Sequence, residues 1–259
     1  EGWVNLKWKG GSVTSEYTII AKQLIAQQRA TEALTWLEKV SDSKKIYNGY
    51  KETYVRALAG IGELKKAQEE YFTLFKESLD ADLYKDVMAQ IRPEDKASFK
   101  EKTLQTVYQG SQHTYGTLHF LIYSENYDEA STFIRLHIND MSICVAWAFD
   151  NMVLLLQEID PLAATLLYRK MIAYVLEKEE TENYRYASNY VMMCAVLATK
   201  VNDWEMFTPH EVYVSAIREI YESNEQFRSV YMSTREELIS CMEECSREQR
   251  AHSCKILHL

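Results

Sequence analysis

Apolar residues return along this chain at helical intervals. Over residues 15–27 they stand at 19, 20, 24 and 25, and over 31–40 the stripe reappears as Ala33, Leu34, Trp36 and Leu37. Spacings of three and four residues line one face of a helix, so this stretch predicts two helices, each with one buried face. The same reading predicts a second pair over 50–61 and 63–76, with Gly60 and Gly62 marking the turn. Further pairs follow over 81–90 and 93–107, over 114–123 and 128–137 across the polar turn SENYDEA, and over 142–158 and 161–177. Beyond residue 180 the phase changes, with helices expected over 184–200, 210–223 and 234–251.

The pairs share a register. Ala33, Ala67, Ala97, Ala130 and Ala163 are spaced by 34, 30, 33 and 33 residues, and nine positions before them stand Leu24, Leu58, Met88, Leu121 and Leu154. A small residue lets two helices approach closely, and the aliphatic residue from the preceding helix fills the gap. This periodicity predicts an all-α fold, an α-α superhelix or solenoid of antiparallel hairpins. The chain then divides into an arm over 1–14, hairpin repeats over 15–180 and a capping region over 181–259, atypical because a terminal unit must turn one face to water. Pro93, Pro161 and Pro209 all fall at expected helix starts, where the missing N–H costs nothing. Asp160 and Thr208 stand before two of them as N-caps, with Glu211 completing a capping box.

Composition narrows the picture. Eight Gly and three Pro in 259 residues leave few sharp turns, and apolar residues rarely alternate as strands require. The net charge of −9, with both signs interleaved, disfavours nucleic acid as a partner. The longest apolar run, 191–198, falls well short of the ~20 residues of a membrane span. Five Cys in a long, loop-poor chain suggest reduced thiols and a cytoplasmic setting rather than a disulfide framework. The opening EGWVNLKWKGG lacks the pattern of a secretory signal, and suggests a fragment or processed form.

The units LIAQQRATEALTWL, LAGIGELKKAQEEY and LIYSENYDEASTFI resemble the tetratricopeptide repeat. The stretch over 160–231 is similar to the helical C-terminal region of uncharacterised bacterial proteins, many of which carry an N-terminal SWIM zinc finger. That similarity rests on LYR at 167–169, the YxxAxxY pattern from Tyr184 to Tyr190 and YVSAIRE at 213–219. No CxCxnCxH occurs here, so the finger's nucleic-acid role does not carry over. The resemblance implies a bacterial, cytoplasmic helical scaffold.

Candidate chemistry is sparse. No GxxxxGK[ST], GxGxxG or GxSxG occurs, which leaves no visible nucleotide or cofactor site. His210 and Glu211 lack the second histidine of HExxH and read as helix-start electrostatics. The pairs Asp80 with Asp82 and Glu179 with Glu180 could serve acid–base work but read as solvated charge. Tyr71, Tyr168 and Tyr190 lie on apolar stripes and are expected in the core with hydroxyls at the rim. Cys241, Cys245, His252, Cys254 and His258 cluster near the C-terminus as possible zinc ligands, against a competing reading as surface thiols on a charged helix.

Aligned on the repeated alanine, Lys22, Glu52, Arg56, Tyr115, His119 and Tyr123 fall where first helices of tetratricopeptide-like hairpins face the inner groove. Arginine and tyrosine combine large contact area with directed polar groups. The expectation is a non-enzymatic scaffold that binds a protein or peptide through its concave face. Alternatives are a zinc-binding module through Cys241, Cys245, His252 and Cys254, or an accessory region of a larger enzyme or regulator.

Overall fold

The computed structural model describes residues 13–109, 114–143 and 146–236. Every regular element among them is helical, as the hydrophobic pattern requires. The chain forms two compact units, Glu1–Glu125 and Asn126–Leu259.

The first unit contains α1 (Val13–Ala26), α2 (Ala30–Glu38), α3 (Asn48–Gly60), α4 (Leu64–Ser78), α5 (Ala81–Gln90), α6 (Pro93–Gln109) and α7 (Thr114–Tyr123). Sequence neighbours pack as hairpins, α1 on α2 and α3 on α4. First helices also pack on first helices, α1 on α3, α3 on α5 and α5 on α7, while α4 packs on α6. Ala33 and Ala67 are fully buried, as a close-approach position should be. An aromatic cluster fills the middle of the unit. Tyr71 and Phe75 stack at 4.9 Å, Phe75 meets Phe120 edge-on at 4.9 Å, and Tyr84 stacks on Phe99 at 5.9 Å. The Tyr71 hydroxyl is not at the rim but enclosed beside Thr103, and burial raises its pKa.

The repeat register has a backbone cause. Five residues before Ala33, Ala67 and Ala130 stand Gln28, Gly62 and Glu125, with φ of 60°, 84° and 62°. These left-handed residues end α1, α3 and α7. After α3, Glu63 N–H donates to the Leu58 carbonyl at 3.0 Å and Gly62 N–H to Ala59 at 3.1 Å, the paired bonds of a Schellman cap. After α1, Arg29 N–H donates to Leu24 at 2.8 Å and Gln28 N–H to Ile25 at 2.9 Å, the same pattern. At Leu24 and Leu58 the aliphatic residue nine before the alanine is therefore the one whose carbonyl closes the cap.

The third hairpin departs from this register. Ile91 leaves α5 with extended backbone, φ −75° and ψ 138°, and α6 opens directly on Pro93. A proline disfavours helical backbone in the residue before it, here Arg92, which stands five before Ala97 where the left-handed residue falls in the first, second and fourth units, and α6 enters with a different phase. Ala97 is consequently exposed, and Phe99, Thr103 and Val107 carry the buried stripe.

The second unit contains α8 (Tyr127–His137), α9 (Asp150–Leu156), α10 (Pro161–Lys178), α11 (Tyr184–Ala198) and α12 (His210–Ser223), with a further helical run over 225–236. α10 is its centre, packed against α8, α9 and most extensively α11, with both flanks buried. Asp160 caps α10 by accepting the Ala163 N–H at 3.0 Å ahead of Pro161, as expected. The helix expected over 142–158 is instead a 3₁₀ turn, Ala146–Phe149, followed by the short α9. A 3₁₀ turn advances three residues per turn, so α9 emerges rotated. Met152, Val153 and Leu156 face inward, and Leu154, expected to fill the gap before Ala163, is 50% exposed. The terminal helix expected from 234 begins earlier, where Asn224 accepts the Phe227 N–H at 3.0 Å.

Candidate partner-binding face

The succession α1, α3, α5, α7 sets corresponding positions of four helices side by side. Eleven residues before the repeated alanines stand Lys22, Arg56, Asp86 and His119, and fifteen before stand Thr18, Glu52, Asp82 and Tyr115. Asp82 and Asp86 on α5 were absent from the sequence-derived set, although their offset from Ala97 equals that of Glu52 and Arg56 from Ala67. The phase of α6 is displaced, yet α5 itself keeps the register.

Arg56 joins two of these helices. Its Nε donates to Asp86 Oδ2 at 2.6 Å across to α5, and its Nη1 lies 3.8 Å from Glu52 one turn back on α3. Arg56, expected on the groove face, also clasps α3 to α5. Lys85 lies 3.6 Å from Asp82 and 4.0 Å from Glu125. Asp80, weighed as half of an acid pair, instead caps α5 by accepting N–H bonds from Asp82 and Leu83 at 2.9 Å. Glu179, of the other pair, is the left-handed cap residue of α10, with φ 53°.

On α7, Tyr115, His119 and Tyr123 lie one turn apart and form a ladder of rings. His119 is 5.8 Å from Tyr115 and 4.4 Å from Tyr123 between ring centroids. Burial against these rings lowers the His119 pKa, and Asp82 opposes the shift only in part. The imidazole is therefore neutral near pH 7 and offers both a donor and an acceptor. Lys22 is exposed on α1.

A family model described as a family of unknown function, DUF6880, matches residues 9–229. The chain belongs to this family. Neither a curated protein nor a solved structure matches it. The DUF6880 match takes in all of the first-helix face and the motifs at 167–169, 184–190 and 213–219.

The proposed zinc ligands Cys241, Cys245, His252 and Cys254 lie outside the described residues, as does His258. Among the described residues no three metal-binding side chains gather, and no helix is long and apolar enough to cross a membrane. Cys194 is enclosed in the second unit, where burial pushes its thiol up to about 12, so it stays protonated and unreactive.

Proposed function

We propose that this chain is a non-enzymatic scaffold that holds an extended segment of another protein against the first-helix face of its first unit. The observation that carries this reading is the unbroken packing of α1, α3, α5 and α7, which repeats polar and aromatic positions at regular intervals along one surface. Stacked helical repeats bind through such extended surfaces rather than through a single deep cleft. Across the face Lys22, Arg56 and Lys85 balance Glu52, Asp82 and Asp86. Bulk charge therefore does not select the partner, and recognition rests on directed hydrogen bonds and on the ring ladder at the α7 end.

A photo-crosslinking residue introduced at Lys22 or at Tyr115 samples this face, and one at Glu69 or Glu101 samples exposed positions on the second helices α4 and α6. In cells of the source organism, the first two positions should trap a common protein that the last two do not. Identical crosslinked products from both sets would remove the face from consideration.

A further inference from the structure

The second unit contains a buried cation whose best hydrogen-bonding edge is unused. Arg169, on α10, is only 8% exposed. Its guanidinium lies over two rings, 4.7 Å from the Trp204 centroid and 4.3 Å from that of Tyr213. Nη1 donates to the Thr208 carbonyl at 2.6 Å. Nε and Nη2, the adjacent pair that grips a carboxylate or phosphate bidentately, are enclosed and have no hydrogen-bond partner among the described residues. Two more enclosed polar atoms beside them are also unbonded, Nδ1 of His210 and the hydroxyl of Tyr213.

This concentration is unusual. A buried charge needs compensation, and each unmatched buried donor keeps its full desolvation penalty. The protein supplies little of it. Cys194 acts on the guanidinium only as a neutral thiol, and Glu211, the carboxylate acting on both Arg169 and His210, is an exposed residue not bonded to the free edge. The two rings attract the cation without satisfying its N–H groups. The site also abuts the first turn of α12, whose free backbone N–H groups favour negative charge.

We propose that the Arg169 cluster is a binding site for a small oxyanion, a carboxylate or a phosphate, held by Nε and Nη2 of Arg169 with the Tyr213 hydroxyl and His210 beside them. Residues 199–209, between α11 and α12, are the cover. That segment supplies Trp204 and the Thr208 carbonyl, and Glu205 fastens it to Arg135 on α8 at 3.0 Å. Entry of the anion requires this segment to lift, and the bound anion then satisfies the edge that is otherwise orphaned. The site lies within the second unit and is independent of the scaffold reading.

Thermal unfolding of the full chain tests this, with phosphate and acetate titrated separately at an ionic strength held constant with sodium chloride. The expected result is a saturable rise in Tm with phosphate, with acetate, or with both, absent with chloride; which anion acts identifies the ligand class. Arg169→Lys keeps the charge but removes the fork, and should abolish the rise. Tyr213→Phe keeps the ring against Arg169 and removes one hydroxyl, and should weaken the apparent affinity about tenfold, as loss of a hydrogen bond to a charged group does. Should Arg169→Lys fail to fold, Tyr213→Phe still decides. No saturable rise in the unsubstituted protein, or a Tyr213→Phe titration identical to it, overturns the site and leaves Arg169 as a fastening for the 199–209 segment.

Discussion

Gly60 ends α3 where that helix crosses the start of α2, and a Cβ added there would stand 2.7 Å from the Cβ of buried Ala30. Carbon atoms pack best at about 3.5–4.0 Å, so Gly60→Ala forces α2 and α3 apart by roughly 1 Å or strains both. Alanine improves helix propensity by at most about 1 kcal/mol, and by less at a helix end. Overpacking costs about 1–3 kcal/mol. The net expectation is a loss of about 1–2 kcal/mol, opposite in sign to the usual effect of Gly→Ala in a helix. Urea denaturation followed by circular dichroism measures it, with a slope of ~1–3 kcal/mol per molar relating midpoint to free energy. In an Ala30→Gly background the methyl that Gly60→Ala meets is gone, and the same substitution should cost nothing or stabilise. A Gly60→Ala protein as stable as the parent, or an equal loss in both backgrounds, would refute the close-approach argument.

Asp160 caps α10 and meets Arg135 Nη1 at 2.7 Å with both side chains largely covered, and although burial opposes ionisation these contacts hold its carboxyl below the usual range. Asp160→Ala should cost about 2–3 kcal/mol, and Asp160→Asn, which keeps a capping oxygen, clearly less; equal losses measured by urea denaturation would mean that the cap contributes nothing. His119 has a folded-state pKa below its unfolded value near 6.5, so the folded state binds fewer protons. Its stabilising contribution is complete above about pH 6.5 and is lost as pH falls through the lowered value. His119→Gln should reduce the drop in Tm between pH 7.5 and 5, leaving the similar contribution of His210; an unchanged drop would refute the assignment.

The all-helical fold and most helix limits were legible because each α-helix repeats its buried face every three to four residues. α5, α7 and α12 begin and end where the pattern predicts. The fifth hairpin was misjudged because a 3₁₀ turn and an α-helix share nearly the same apolar spacing over four residues, while the rotation they impose differs. On the first-helix face, residue types and offsets were readable at Lys22, Glu52, Arg56, Tyr115, His119 and Tyr123. That Arg56 is engaged by Asp86 was not, because the two stand thirty residues apart and meet only when α3 packs on α5.

Sequence by itself determined most local events in this protein: where most helices start, where Gly62 turns the chain, and that Ala33, Ala67, Ala130 and Ala163 are buried. These depend on backbone preference and periodicity within a few residues. Tertiary structure alone decided that Gln28 adopts a left-handed conformation that its side chain disfavours, since packing of α2 on α1 offsets that cost. It likewise decided that Arg169 is buried beside Trp204 and Tyr213. Burial of a charge is set by residues distant in the chain, and no local pattern around LYR at 167–169 distinguishes an enclosed guanidinium from a solvated one.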